Sequence, residues 1–313
     1  MRHFQVGDAR ITRISELNLD GVDAAFLYPS VDPEQVRIGA RPLSAGSFDP
    51  STGTLRQSIH TWLVEIGGLT VLIDTGTGND KQRPTMPPLD QLKEPYLERL
   101  ARAGVQLDDV DAVLMTHVHA DHVGWNTRLQ NGAWVPTFPH ARYLASGVEL
   151  DYGAAVDADD EAKANALRQV ADLGPMSHLP AAGIYTDSVA PVSSAGLIER
   201  VKVGEGEVLP GFSYHSLPGH SIDHAAILLN SNGHHALFWG DVLHHPVQVT
   251  ATEWNSVFCE FPDAAVTARR KALAWAADTG ATVFTTHFAE SSAGRVTRDG
   301  DAFVWTFIEG TVA

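Results

Sequence analysis

The chain has 313 residues, 44% hydrophobic and 19% charged, a balance suited to a soluble globular protein with a large core. Its 22 basic and 38 acidic residues leave a formal net charge of -16, which argues against nucleic acid or an anionic membrane surface as partner. A single cysteine, Cys259, excludes an internal disulfide framework and a multi-thiolate metal site. With no apolar N-terminal h-region and no run of 18 apolar residues, a cytoplasmic chain without membrane contact is expected.

From the N-terminus, Ala9 to Glu16 alternates as a strand, and a Pro-, Gly- and Ser-rich stretch follows through Pro50. Residues 1–55 hold too few apolar side chains for a core of their own, so they are expected to form an arm or lid on a single domain spanning 1–313. Such an arm could also contribute to a homodimer. Ile59–Ile66, Gly67-Gly68 and Leu69–Asp74 have the signature of a hairpin with a Gly-Gly turn. A helix is expected to start near Pro95, with Leu97 and Leu100 on its apolar face, and to end at Gly104.

Asp111–Met115 then reads as a buried strand that runs into His117-Val118-His119-Ala120-Asp121-His122. Three imidazoles and a carboxylate in six positions are nitrogen and oxygen ligands of the kind zinc takes. Four such groups cannot all aim at one ion from so short a loop without strain, so the spacing suggests two ions.

Residues 145–200 read as a helical insertion, with an acidic helix between Val148 and Leu173 and Pro, Gly and Ser breaks after it. Strands return at Phe212–Leu217, His224–Leu229 and Ala236–Trp239. A helix capped by Asp263 runs to about Asp278, with Gly280 after it, and the strand Ala281–Thr286 delivers His287. The last hairpin turns at Asp299-Gly300.

Asp74, the loop 117–122, His220, Asp241 and His287 each follow the last apolar residue of a strand. The strand ends of one α/β sheet meet at one edge, where ligands bind.

His117-x-His119-x-Asp121-His122, Pro218-Gly219-His220, Gly240-Asp241 and Thr286-His287 together resemble the metallo-β-lactamase-fold hydrolases over roughly residues 55–310. The resemblance implies a four-layer αββα sandwich with two Zn2+ at one end. It implies His117, His119 and His220 on one ion, Asp121, His122 and His287 on the other, and Asp241 between them. Such a centre ionises a shared water near neutral pH. The expected reaction is attack of the metal-bridging hydroxide on the carbonyl of a small neutral ester or lactone.

Departures from the family patterns narrow the branch. Cys259 lies in no ligand segment, di-iron members carry Glu where this chain has His119, and the 26 residues after His287 are too few for a glutathione-binding helical domain. RNA-processing members fit poorly with the acidic balance. What remains is similar to the methyl-parathion-hydrolase-like esterases and the N-acyl-homoserine lactonases. Organophosphate triester hydrolysis, β-lactam hydrolysis and a non-catalytic metal-binding role are the alternatives.

Lactonases of this fold typically carry a tyrosine three residues after the bridging aspartate, where this chain has His244. That imidazole could polarise a carbonyl, protonate a leaving alkoxide, or simply support the site or lie on the surface. Asp74 either accepts an imidazole N–H or forms a turn. Trp125, Trp254, Phe258 and Phe288 either wall an apolar acyl or aryl pocket or belong to the core, and His60 either faces the site or is packed.

Overall fold

The computed structural model describes residues 1–312. Two large sheets stack face to face. The first runs, in spatial order, through Ile198–Val201, Arg142–Ser146, Ala112–Leu114, Leu69–Ile73, Thr54–Ile66, Ala9–Val22, Arg2–Val6 and Thr311–Val312, with Phe48–Asp49 paired to its long central strand. The second runs through Glu207–Leu209, Phe212–Ser216, Ala225–Ser231, His234–Phe238, Thr282–Phe284, Ala293–Asp299 and Ala302–Phe307.

Neighbouring residues of these strands serve different cores, because successive side chains of a strand point to opposite faces. Trp62, Val64, Val71, Ile73, Ala112 and Leu114 point into the core between the sheets, opposite Phe212, Ile227, Phe238 and Phe284. The residues between them, Leu63, Leu72 and Val113, pack outward on helix Tyr96–Arg102 and on Leu150, Ile184, Val189 and Val192 of the helices between 147 and 194. On the far side, Leu237 and Val283 pack against Ala268, Ala272, Leu273 and Ala276 of helix Pro262–Thr279. Helix, sheet, sheet and helix layers follow, the αββα order that the resemblance implies.

Several sequence expectations need correction. The stretch 1–55 is an arm only in part. Arg2–Val6 and Ala9–Val22 are paired strands of the first sheet, and their apolar faces (Phe4, Val6, Ile11) fill the central core. What lies outside the sheet is the segment from Asp23, whose short helices Ala24–Leu27 and Pro33–Ala40 pack with Leu55 and Val247. Residues 145–200, read as a helical insertion, supply helices to the outer layer on the first sheet, and Ile198–Val201 extends that sheet in parallel. Helix Pro262–Thr279 starts at a proline after Phe261, which places Asp263 inside its first turn instead of at the cap. The hairpin at Gly67-Gly68 forms in the expected register, with Ile66 opposite Leu69 and both glycines at positive φ, as the turn requires.

The site-bearing strand ends come from both sheets, not one. Leu69–Ile73 and Ala112–Leu114 are parallel neighbours in the first, and His234–Phe238 and Thr282–Phe284 are parallel neighbours in the second. Parallel neighbours end at the same edge, and Phe212–Ser216, two antiparallel pairings from His234–Phe238, runs the same way. The first sheet therefore delivers two loops there and the second three, the third carrying His220, and the two edges abut.

Candidate metal centre

The loop after Ala112–Leu114 turns at His117 and enters the single-turn helix Ala120–Val123, while the loop after Leu69–Ile73 runs beside it. The two loops are zipped together by backbone bonds: Thr75 N donates to His122 O (2.6 Å), Gly124 N to Gly76 O (2.7 Å) and Trp125 N to Thr75 O (2.9 Å). Asp74, at φ 53°, sits in the left-handed region that Asp tolerates better than most residues. From there its carboxylate accepts from Thr116 N and Thr116 Oγ1, both at 2.8 Å, and from His122 Nδ1 at 2.8 Å. Of the two readings of Asp74, this is the imidazole-holding one.

All seven residues singled out as donors come together. His119 Nδ1 lies 2.9 Å from His220 Nε2. Asp241 Oδ1 lies 3.1 Å from His122 Nε2, and its Oδ2 lies 3.0 Å from His287 Nε2 and 3.3 Å from His220 Nε2. Asp121 approaches His122 Nε2 at 3.7 Å and His287 Nε2 at 3.5 Å. The donor atoms fall into the trios His117/His119/His220 and Asp121/His122/His287, with His117/His122/Asp241 spanning them; within each trio they lie within 4.8 Å of one another.

The outward ring atoms are held by the protein, which fixes which nitrogen faces inward. His287 Nδ1 donates to Ser58 O (3.1 Å), His119 Nε2 to Glu260 Oε1 (3.0 Å), and His117 Nδ1 lies 3.0 Å from Thr116 Oγ1. Inward, His117 Nε2 is buried without a hydrogen-bond partner, and His122 Nε2 and Asp241 Oδ1, though 3.1 Å apart, are too poorly aligned to satisfy each other. Each such atom costs roughly 1–3 kcal/mol unless something satisfies it. Five lone-pair nitrogens and two carboxylates aimed at one volume fit divalent cations of the zinc type, and no thiolate is among them.

Charge follows the same geometry. Burial and the neighbouring imidazoles push His117 well below its usual value. Burial does the same to His220, against the pull of Asp241. His122 goes well above the usual value, because Asp241, Asp121 and Asp74 outweigh the cost of burial. Asp241 is held well below the carboxylate range by His122, His287 and His220, although burial opposes this.

Only two of the donors are appreciably exposed, His119 at 12% and Asp121 at 18%, so the cage opens on their side. His244 reaches the cage: its Nε2 lies 3.4 Å from Asp241 Oδ2 and 3.2 Å from Ser256 Oγ, and its ring stacks between His287 (5.5 Å, 10°) and Phe258 (6.0 Å, 29°). Phe258 in turn meets Phe26 and His178 edge-on. Three segments therefore meet in a ring wall running outward from His244, and Phe26 at its end is 57% exposed.

The other aromatic candidates do not belong to this wall. Trp125 is buried, stacks on Tyr96 and donates to Glu16; Phe288 is buried against Trp239 and Trp305; Trp254 packs with Tyr28 beneath the arm. His60 is packed, with Nε2 at 2.9 Å from Thr285 O.

The sequence reading missed Glu260, Ser58 and His224, whose Nε2 accepts from Asp241 N (3.0 Å). None of the three lies in a motif, and only the fold brings them to the cage.

A family model described as the metallo-beta-lactamase superfamily matches residues 55–287. A curated relative from Bacillus subtilis, "Probable metallo-hydrolase YybB", is 27% identical over 90 residues, 29% of this chain and 34% of that protein. The chain's matches span about a third or less of the lengths of its curated relatives. Among solved structures, the hydrolase AbOPH of the beta lactamase superfamily aligns with TM-score 0.77 and 23% identity, over 99% of this chain and 98% of that one. AidC, a dizinc quorum-quenching lactonase, aligns with TM-score 0.76 and 19% identity, over 100% and 98%. At these identities the likeness to the solved structures is one of fold.

Proposed function

The chain belongs to the metallo-beta-lactamase superfamily, and from that premise we propose that it is a binuclear metal-dependent hydrolase of small neutral esters or lactones. The observation that carries this reading is Asp241, whose two oxygens lie between the two donor trios while His244 Nε2 stands 3.4 Å away. Two divalent cations bound there, zinc by the donor set, would supply Lewis acidity and a water ionised near pH 7.

The remaining work falls to the chain's own groups. His117, His119 and His220 would hold one cation, Asp121, His122 and His287 the other, and Asp241 would bridge them. Burial lowers the pKa of His244, so its ring is neutral at pH 7 and carries one proton. With Nε2–H directed at the cage, it donates to the oxygen that becomes negative as the carbonyl is attacked, or to the departing alkoxide. The wall of Phe258, Phe26 and His178 offers an uncharged acyl or aryl group an apolar surface on the same side as His244. The lactonase activity in the description of AidC supports the carbonyl reading.

The test is a hydrolysis panel containing an acyl lactone, an aryl ester, a phosphotriester and a β-lactam, run before and after chelation. The expected result is lactone or ester turnover that chelator abolishes and Zn2+ restores. Turnover of the phosphotriester or β-lactam alone would replace the substrate class. Hydrolysis that persists after metal removal would sink the metal-dependent reading.

A further inference from the structure

Each donor trio has one ring held from outside by a buried carboxylate. In the trio Asp121/His122/His287 that carboxylate is Asp74, at 2.8 Å from His122 Nδ1. In the trio His117/His119/His220 it is Glu260, 1% exposed, whose Oε1 lies 3.0 Å from His119 Nε2. The other rings of this second trio have weaker, neutral partners, Thr116 Oγ1 for His117 and Cys259 Sγ at 3.9 Å for His220 Nδ1.

Glu260 is well anchored. Its N–H donates to His220 O (3.0 Å), its C=O accepts from Ser177 N (2.8 Å), and Phe261 N donates to Gly219 O (2.8 Å). The segment carrying Glu260 is thus zipped to the loop carrying His220. A second buried acid, Glu149, ties that loop to the first histidine loop by accepting from Val118 N (3.2 Å), Ser221 Oγ (2.5 Å) and Asp223 N (2.7 Å). The two glutamates line, with Val118 and Tyr152, a cavity of about 10 Å³, roughly one water sphere.

A carboxylate at Nε2 draws the single proton of His119 to that nitrogen. The lone pair of Nδ1 then points inward, 2.9 Å from His220 Nε2. Two acceptor nitrogens so close repel each other unless a cation or a proton lies between them. An anionic partner on the far side also makes the ring a stronger donor to a cation.

We propose that Glu260 is a positioning residue for one of the two metal positions: it fixes the tautomer of His119 and sets the affinity of the His117/His119/His220 position separately from the other. This rests on the metal-dependent reading above, and its test measures metal, not turnover.

Metal-free wild-type, Glu260→Gln, Glu260→Leu, His119→Ala and His119→Ala/Glu260→Leu chains would be titrated with Zn2+ against a chromophoric chelator. The wild type is expected to take two equivalents. Glu260→Leu should keep one at wild-type affinity and bind the other 10- to 100-fold more weakly. The isosteric Glu260→Gln, whose amide oxygen still accepts but carries no charge, should lose about 10-fold at that same position. The double variant should bind no more weakly than His119→Ala, since Glu260 acts through that ring. Co2+ spectra should change for one position only.

Wild-type affinity at both positions in either Glu260 variant, or equal weakening at both, would overturn the inference. If Glu260→Leu does not fold, judged by circular dichroism, Glu260→Gln decides by the same criterion. A wild-type chain that takes up no metal would instead overturn the functional reading on which this one stands.

Discussion

His244 stands where the chemistry would happen without belonging to the seven donors. It is 1% exposed, its ring is clamped between His287 and Phe258, and its Nε2 points at Asp241 and Ser256. His244→Ala should therefore lower turnover by ~10²-fold, the scale of one lost oxyanion donor, while metal content stays at the wild-type value. Unchanged turnover, or loss of metal together with activity, would remove it from this role. The contrast with Glu260 shows what can be read from a sequence at this scale. His117 to His122 occupy consecutive positions after a strand, so their joint direction follows from local geometry. Glu260 meets His119 across 141 positions and Ser58 meets His287 across 229, and no local pattern marks either pair. Inward-facing donors were legible because chemistry selects their residue types. Their outward partners can be a carbonyl, a hydroxyl or a carboxylate, so composition carries no sign of them. Trp125 and Phe288 were ambiguous for a related reason, since an aromatic after a ligand segment can turn toward the pocket or the core, and only packing decides.

The cage is held open by contacts between short elements, and one of these is unusually close. Gly124, which follows the one-turn helix Ala120–Val123, has an ordinary φ of -62° and so is not glycine for conformational freedom. A Cβ there would lie 1.8 Å from Thr77 O and 1.9 Å from Thr77 C, both backbone atoms in the loop that carries Asp74. Neither side can yield easily, because Glu16 holds Thr77 N (2.6 Å), Gly78 N (2.9 Å) and Trp125 Nε1 (2.5 Å) in one buried carboxylate. Gly124→Ala should destabilise the metal-free protein by about 2–3 kcal/mol, the upper range for overpacking, and weaken metal uptake by parting the Asp74 and His122 loops. Denaturant unfolding checks the first effect and chelator competition the second; a variant of wild-type stability would mean that the two loops are not rigidly joined. Element types and order were readable from periodicity and turn residues, including the Gly67-Gly68 hairpin and the strands that deliver Asp74, Asp241 and His287. The N-terminal strands were underestimated because Arg2–Val22 alternates polar with apolar residues, and such a stretch looks too poor for a core until a partner sheet supplies the other half.

At the scale of the whole molecule, the two abutting sheet edges bring five imidazoles and two carboxylates into one buried volume, and this couples metal, protons and stability. In the metal-free chain, His122 is raised well above 6.5 and His119 and His287 are raised too, in each case because the neighbouring carboxylates outweigh burial. Groups with raised pKa stabilise the fold fully below their unfolded value near 6.5, and that contribution is lost as pH rises through the folded value. His117 and His220 are lowered, so they stay neutral in the fold and add stability as pH rises through the unfolded value near 6.5, alike with and without metal. Glu16 and Glu149, each raised to about 7 chiefly by burial, also lose stabilisation toward pH 7, and Lys81, lowered to about 7 chiefly by burial, has the opposite sign. Lys81 answers only to Asp187 and Arg83 and so acts alike in both forms, whereas Glu16 and Glu149 feel Asp121 and His119 and follow the charge of the cage. A bound cation competes with the cage protons, so its affinity should climb with pH until the raised histidines have lost theirs, then level off. The stabilisation by metal, about 4 kcal/mol where free ion is 1,000 times Kd, should therefore grow between pH 6 and 8. Thermal unfolding of chelated and Zn2+-loaded protein across that range, with proton release on Zn2+ addition followed by indicator dye, checks this. A gap between the two forms that stays constant with pH, with no protons released at pH 6.5, would mean that the cage histidines are already neutral and that the carboxylates do not govern them.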